Sequence, residues 1–135
     1  MSRNRTFLSL DVGEKRIGVA LGDDGVRIAF PFDTMLVDGS EVERITKIIL
    51  DEKVDTVVVG YPRNQSGEAT AQTAFVEAFV GRLKEIAPPI VFQDESLTSV
   101  LAEQRLQSYG KPYSKADIDA QAAALILQDY LEHLR

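Results

Sequence analysis

The chain has 135 residues, with 15 Lys and Arg against 21 Asp and Glu, a formal net charge of −6 and a pI near 4.8. This length fits a single domain spanning residues 1–135, and 44% apolar residues can fill one core. The apolar runs are too short for a bilayer span of ~20 residues, and an acid at position 11 interrupts any signal-peptide core, so a cytoplasmic protein is predicted. The absence of Cys and the single His exclude disulfides, thiolate metal sites and His-based triads.

The first half of the chain predicts an antiparallel meander followed by a helix. Residues 6–11 and 16–21 have strand patterns, and the short Gly-containing link between them favours a hairpin. A third short strand is predicted over residues 26–30, ending at Pro31. Ser40 then precedes a helix whose apolar residues recur at helical spacing.

The second half predicts an alternation of strands and helices. The β-branched run 54–61 lacks alternation, which is typical of a strand covered on both faces, and residues 90–92 predict another buried strand running into residues 93–95. Helices are expected over three segments, 69–86, 99–108 and 115–134. Ser114 and Asp117 have the spacing of a capping box at the start of the last helix.

This element order, βββαβαβαα, predicts a mixed five-stranded α/β sheet. A three-stranded antiparallel meander is extended by parallel strands, with helices on both faces. That is the layout of the ribonuclease H-like fold. The same order occurs in each half of actin-like ATPases and sugar kinases, so the topology leaves the function open.

Acidic residues stand at the ends of the predicted elements. Asp11 ends the first strand, directly before a Gly-containing turn. Asp94 and Glu95 follow the last strand, where adjacent side chains face opposite ways, so at most one of them can share a site with Asp11. Asp119 lies on the apolar face of the last helix, whose Ala-rich stretch permits close packing on the sheet.

Carboxylates that crowd together need a positive neighbour, and oxygen ligands suit Mg²⁺ or Mn²⁺. Two such ions ~3.5–4 Å apart are an established device for phosphodiester displacement. Three of these acids also have a structural interpretation: Asp11 as a turn residue, Asp94 as a helix cap and Asp119 as a half-exposed helix acid. The metal-site prediction therefore depends on their joint placement.

Four segments, in order, resemble the motifs of one known family. Residues 11–20, DVGEKRIGVA, resemble its Asp-x-Gly-x-Lys-Arg-Ile-Gly-x-Ala pattern, and residues 94–99, DESLTS, resemble its Asp-Glu-Arg-Leu-Thr-Thr segment. The loop that begins VGYPRN resembles Val-Gly-Leu-Pro-x-Asn, with Tyr61 in place of Leu, and the last helix resembles the C-terminal motif around Asp119. Over essentially its whole length the chain is similar to the YqgF/RuvX family, the pre-16S ribosomal RNA nucleases also called Holliday-junction-resolvase-like proteins.

The resemblance implies that Asp11, Glu95 and Asp119 are the metal-binding catalytic acids of a ribonuclease H-like nuclease, with two Mg²⁺ or Mn²⁺ ions as cofactors. The activity implied is hydrolysis of phosphodiester bonds in structured nucleic acid, foremost at the 5′ end of pre-16S rRNA during ribosome biogenesis. Ser96 stands where the family usually has Arg, which removes a guanidinium that could contact phosphate or orient Glu95.

Three alternatives stay open at this stage. A Holliday junction resolvase would use the same chemistry on four-way DNA and is expected to be a symmetric dimer, so the chain is predicted to be a monomer or homodimer. A non-catalytic nucleic-acid-binding module is favoured by Ser96. An actin-like nucleotide binder is disfavoured because 135 residues supply one such half.

Basic and polar side chains near the acids are the expected substrate contacts. They are Lys15, Arg16, Arg63, Asn64, Lys111 and Lys115. Lys111 and Lys115 belong to a Gly/Pro loop with Tyr109 and Tyr113, a composition that suits base stacking or a plain helix connector equally well. For Lys15 and Arg16 the alternative is a solvated hairpin turn.

The negative net charge is unevenly distributed along the chain. Residues 21–60 contain nine acids and four bases, whereas the rest contains twelve acids and eleven bases. Metal ions at the three predicted acids would leave the remainder positive. The acidic stretch is therefore predicted to face away from the substrate, and nucleic-acid binding to depend strongly on divalent metal.

Overall fold

The computed structural model describes residues 4–62, 70–94 and 98–134, apart from the side chains of residues 98 and 99. Within these residues five strands form one mixed sheet in the order β3-β2-β1-β4-β5. The strands are β1 (Thr6–Val12), β2 (Arg16–Asp23), β3 (Ala29–Leu36), β4 (Thr56–Tyr61) and β5 (Ile90–Asp94). β1 to β3 pair antiparallel, and β4 and β5 extend the sheet in parallel with β1. The predicted mixed five-stranded sheet is confirmed.

Helices cover both faces of this sheet, as predicted. They are α1 (Glu41–Asp51), α2 (Ala71–Leu83), α3 (Thr98–Ser108) and α4 (Lys115–Glu132). α1 and α2 bury Ile45, Ile49, Val76 and Phe79 against the face that carries Leu8 and Leu10. α4 lies across all five strands on the other face, with α3 packed against it. None of these described helices is both long and apolar enough to cross a membrane.

Side-chain alternation along β1 separates the two cores. Leu8, Leu10 and Val12 face α1 and α2, whereas Phe7 packs with residues of α4 and Ser9 donates a hydrogen bond of 2.7 Å to the carbonyl of Ala123. Asp11 therefore continues the row of residues that faces α4.

The start of α4 is fixed by local sequence. Ser114 occupies the N-cap position, its hydroxyl accepts the backbone N–H of Asp117, and the Asp117 carboxylate accepts the N–H of Ser114. This capping box confirms the predicted structural role of Asp117. It also sets where Asp119 falls on the helix.

Two predicted strands differ from the structure. The third was placed at residues 26–30 and ended at Pro31, but β3 spans Ala29–Leu36 and contains that proline. β3 is an edge strand, and its pairing with β2 shifts register between Val19 and Ala20, where Ala20 faces Pro31; edges and bulges tolerate a residue without an N–H. β5 was predicted to be buried, but it is the other edge strand, and Phe92 is 44% exposed.

Candidate active site

Gly18 of β2 brings the first and last predicted acids together. Gly18 lies directly opposite Asp11 in the β1–β2 ladder. A side chain at residue 18 would therefore project on the same face of the sheet as the side chain of Asp11, the face that α4 covers. A Cβ added to Gly18 would overlap the backbone carbonyl of Asp119. The absence of a side chain at residue 18 thus lets the first turns of α4 rest on the sheet beside Asp11.

Small residues continue this close approach along α4. Ala20, two residues after Gly18, packs against Ala123 and Ala124. A Cβ at Gly22 would stand 3.1 to 3.3 Å from the side chains of Leu131 and Leu127. The prediction that the Ala-rich stretch allows α4 to lie close to the sheet agrees with these contacts.

Arg16 forms an ion pair with the predicted catalytic acid of α4. Its Nε lies 2.5 Å from Oδ2 of Asp119, and the two side chains are 31% and 21% exposed. Arg16 is two residues before Gly18 on β2, so its side chain projects on the same face. The turn before it is closed by a 3.0 Å hydrogen bond from the Gly13 N–H to the Arg16 carbonyl. The guanidinium therefore stands beside the acids at the carboxyl end of β1.

Two segments around the loop after β4 also converge on this edge. The hydroxyl of Thr73 donates to the carbonyl of Pro62, where β4 has just ended, and the side-chain amide of Gln72 donates to the carbonyl of Val12 at 3.0 Å. The start of α2 is thereby fastened to the residue that follows Asp11. Arg63 and Asn64, the predicted substrate contacts in this loop, lie outside the described residues.

The remaining predicted contacts differ in their surroundings. Lys15, at the tip of the β1–β2 hairpin, and Lys111 and Lys115, on either side of the α4 cap, have exposed side chains. The Tyr113 hydroxyl donates to Glu103 of α3 at 2.9 Å, which gives this tyrosine a structural role, whereas Tyr109 is 58% exposed. The loop between α3 and α4 thus combines a fastened aromatic ring with an exposed one.

Glu95, the third predicted acid, lies outside the described residues. Among the residues that are described, no cluster of three or more His, Cys, Asp or Glu side chains could hold a metal ion. Asp11 and Asp119 nonetheless supply carboxylate oxygens on one face, the donor type that Mg²⁺ and Mn²⁺ bind. Asp11 and Asp119 are two of the three acids in the predicted set, and their role as metal ligands stays a prediction.

Sequence reasoning missed the roles of Gly18 and Gln72. An isolated glycine inside a strand pattern is a recognised sign that another backbone segment approaches closely. The close approach at Gly18 could therefore have been predicted from the sequence. Gln72 carried none, because its hydrogen bond to Val12 joins residues 60 positions apart.

Solved structures of two resolvases share this fold. RuvC of Thermus thermophilus in complex with a Holliday junction substrate superposes with a TM-score of 0.59 at 14% identity, covering 97% of this chain and 98% of that one. The fowlpox virus resolvase in complex with Holliday junction DNA has a TM-score of 0.55 at 11% identity, covering 94% and 97% of the two chains. The fold class is that of the ribonuclease H-like proteins.

The family follows from the sequence comparisons. A model of the RuvX family, described as Holliday junction resolvase, matches residues 5–133. A protein of Chloroflexus aggregans named "Putative pre-16S rRNA nuclease" is 43% identical over 97% of this chain and 96% of its own length. A protein of the same name from Sulfurihydrogenibium sp. is 39% identical over 95% and 90%. The chain belongs to the RuvX family, a group of nucleases that hydrolyse phosphodiester bonds, and the predicted family membership is confirmed.

Proposed function

We propose that this chain is a divalent-metal-dependent nuclease that cleaves structured RNA at the 5′ end of pre-16S rRNA, acting in the cytoplasm as a single domain over residues 1–135. The RNA substrate is supported by the printed names of the relatives, which are up to 43% identical over almost the full chain. The nuclease chemistry is supported by the placement of the acids.

The observation that carries the proposal is the contact of Asp119 with Gly18, opposite Asp11. It unites acids from the first strand and the last helix at the carboxyl edge of the sheet. Two half-buried carboxylates on one face repel each other, and the neighbouring Arg16 supplies one positive charge against the two. A site that binds cations and phosphate accounts for both acids.

Asp11, Glu95 and Asp119 are proposed as the metal ligands, for two Mg²⁺ or Mn²⁺ ions. When bound, such ions activate water and stabilise the leaving oxygen of a phosphodiester. Asp94 is disfavoured because the preceding residue, Gln93, faces α4 and donates to Asp129, and side chains alternate along a strand. Glu95 is assigned from the family motif alone.

The chain's own cations are proposed to hold the scissile phosphate. Arg16 lies beside Asp119, and three exposed lysines surround the same edge: Lys15, Lys111 and Lys115. Arg63 and Asn64 are added to this set from the sequence alone. In the reaction a water oxygen bonds to phosphorus while the bond from phosphorus to the leaving sugar oxygen breaks. Guanidinium and ammonium groups favour this step by stabilising the charge that develops on the phosphoryl oxygens.

The charge distribution is compatible with this orientation. α1, within the acidic stretch of residues 21–60, packs on the face opposite α4. Nucleic acid at the α4 side of the carboxyl edge would therefore avoid part of the acidic surface. This supports binding by a chain of net charge −6, with divalent ions supplying further compensation.

Cleavage assays with matched variants test the proposal. Asp11→Asn and Asp119→Asn are expected to lower the cleavage rate of precursor 16S rRNA in Mg²⁺ by at least a hundredfold, whereas Glu132→Gln, an exposed acid on the same helix as Asp119, should cleave like the parent. Parent-like cleavage by the Asp11 variant would refute the catalytic assignment. Binding without any cleavage by the parent would indicate a nucleic-acid-binding module.

A Holliday junction resolvase is the second candidate, favoured by the description of the family model and by the fold of RuvC. Symmetric cleavage of a synthetic four-way junction, with precursor rRNA left intact, would establish it. The active species should then be a dimer, because a junction offers two equivalent cuts.

A further inference from the structure

A cleft lies at the carboxyl ends of β4 and β5. It has a volume of about 820 Å³ and is bounded by α2 on one side and the ends of the two strands on the other. β4 is the neighbour of β1, and β5 the neighbour of β4, so the cleft is roughly 10 Å across the sheet from the strand that carries Asp11. It opens at the edge of the sheet to which the acids belong.

One wall of this cleft is aromatic and its rim is polar. The rings of Tyr61 and Phe92 meet edge to face with centroids 4.9 Å apart, and Phe92 is 44% exposed. Val80 and Gly81 of α2 form the opposite wall. The rim residues are Glu77, Lys84, Gln93 and Asp94. A flat apolar ligand with hydrogen-bonding groups on its edge would match this combination.

The rim favours a nucleobase over a phosphate. It contains two carboxylates and one ammonium group, so a phosphate inside the cleft would be repelled. Carboxylates are natural acceptors for the exocyclic amino groups of bases, and an exposed aromatic ring offers a stacking surface. The Glu77 carboxylate is already oriented, since it accepts the Tyr61 hydroxyl at 2.5 Å.

The end of β5 connects this cleft with the α4 side of the sheet. Asp94 also lines a smaller cleft of about 340 Å³, together with Arg105 of α3 and Asp129 of α4. A nucleic-acid strand that crosses the carboxyl edge at Asp11 can therefore reach the aromatic cleft by passing the end of β5.

We propose that the cleft between α2 and the ends of β4 and β5 binds an unpaired nucleobase that lies close to the scissile phosphate. This inference rests on the proposed nuclease function and adds a substrate requirement to it: an unstacked base beside the cut. The rim carboxylates make adenine, cytosine and guanine, which carry exocyclic amino groups, better ligands than uracil. Tyr61, which replaces the Leu of the resembling motif, supplies one of the two rings.

Gly81 offers a way to close the cleft without disturbing the fold. A Cβ at this position would meet no neighbouring group within 4 Å, so a side chain can be added to Gly81 without a clash at Cβ. Gly81 lines the cleft, and Gly81→Met is designed to fill it. Ala78→Met is the matched control, because Ala78 is exposed on the same helix and does not line the cleft. Phe92→Leu is a second, independent variant that removes the exposed ring and keeps an apolar side chain.

The probe is a short RNA with a base-paired stem and a single-stranded overhang that carries 2-aminopurine, a fluorescent base with an exocyclic amino group. All variants are made in the Asp11→Asn background, and binding is measured by 2-aminopurine fluorescence and by titration. Stacking in the cleft is expected to change the fluorescence on binding. Gly81→Met should abolish that change and weaken binding of the overhang RNA about tenfold, Phe92→Leu should reduce both effects, and Ala78→Met should behave as the parent.

Binding of a blunt duplex should be the same in all variants, since it presents no unpaired base. Equal fluorescence changes and affinities for Gly81→Met and Ala78→Met would overturn the proposal, as would equal binding of overhangs that carry uracil or adenine. These readouts need no cleavage. Failure of the nuclease assignment would appear separately, as undiminished cleavage by the Asp11→Asn protein.

Discussion

The backbone carbonyl of Asp119 lies so close to the Cα of Gly18 that any Cβ at residue 18 would overlap it. Because Gly18 faces Asp11 across the β1–β2 ladder, this contact fixes the separation of two acids that are far apart in the sequence. The rigid elements of the sheet and of α4 thus position the candidate site.

Gly18→Ala is expected to push α4 away from the sheet. The overlap is with backbone, which cannot move aside alone, so we expect a loss of about 2–3 kcal/mol in the free energy of unfolding and a fall in melting temperature of roughly 5–10 °C. Cleavage should fall further than the folded fraction does, because Asp119 moves with the helix. Gly81→Ala is the control for stability, since its Cβ meets nothing and alanine favours a helix by up to about 1 kcal/mol. A Gly18→Ala protein as stable as the parent would contradict the close contact.

Glu41 is a buried acid on the face of the sheet away from the site, with 2% of its side chain exposed. Its carboxylate accepts the Gly39 N–H at 3.0 and 3.2 Å and lies 3.7 Å from Nη2 of Arg82. Glu41→Ala should cost about 2 kcal/mol of unfolding free energy, because a charge-assisted hydrogen bond is lost at a buried position. Arg82→Gln should cost less than about 1 kcal/mol, since Arg82 is 57% exposed. Denaturant unfolding measures the loss of unfolding free energy in both variants. Equal losses would show that the ion pair, and not the buried hydrogen bond, is the main source of stability.

Local patterns predicted most of the fold. The β1–β2 hairpin, the β4 strand and the capping box of α4 depend on residues near one another in sequence, and the structure agrees with each. The predicted bounds of β3 were wrong because a proline usually ends a strand, as Pro31 was expected to do. The edge position of β3 and the register shift at Val19 depend on tertiary pairing. The apolar run of β5 predicts a buried strand, because such a run does not indicate whether a further strand pairs with it.

The sequence predicted which types of residue form the candidate site but not the contacts between them. Asp11 and Asp119 could be proposed as site residues from strand ends, helix faces and motifs. The Arg16–Asp119 ion pair spans 103 residues, and no local signal encodes such a distance. Sequence suggested Arg16 as a phosphate contact, and the structure adds that its guanidinium already holds one of the proposed metal ligands.

Asp38 provides a test of the local electrostatics at the start of α1. Hydrogen bonds from the Ser40 hydroxyl and backbone N–H, followed by the Arg44 guanidinium, lower the pKa of Asp38 to about 2. A lowered carboxyl pKa stabilises the fold above the unfolded-state value near 3.8 and loses that effect as the pH falls through about 2. An NMR titration should give a midpoint near 2 for the parent and a higher one for Ser40→Ala. An unchanged midpoint in the variant would exclude Ser40 as the main cause.

Arg16 should compete with a divalent cation for Asp119, because the 2.5 Å ion pair must loosen before a metal ion can occupy the Oδ2 oxygen. Arg16→Gln removes both the competitor and a nearby positive charge, so Mn²⁺ binding measured by calorimetry or electron paramagnetic resonance should tighten about tenfold, or about 1.4 kcal/mol. Arg16→Lys keeps the charge and should change the affinity less.

Arg44→Gln is the control for Mn²⁺ binding. Arg44 is paired with Asp38, so this variant should bind Mn²⁺ as the parent does. Weaker Mn²⁺ binding by Arg16→Gln would mean instead that the guanidinium holds Asp119 in the orientation that the metal requires. Arg16→Gln should also raise the KM for the nucleic-acid substrate. In the parent, a metal ion at Asp119 frees the Arg16 guanidinium to bind the substrate phosphate, and the variant lacks that group.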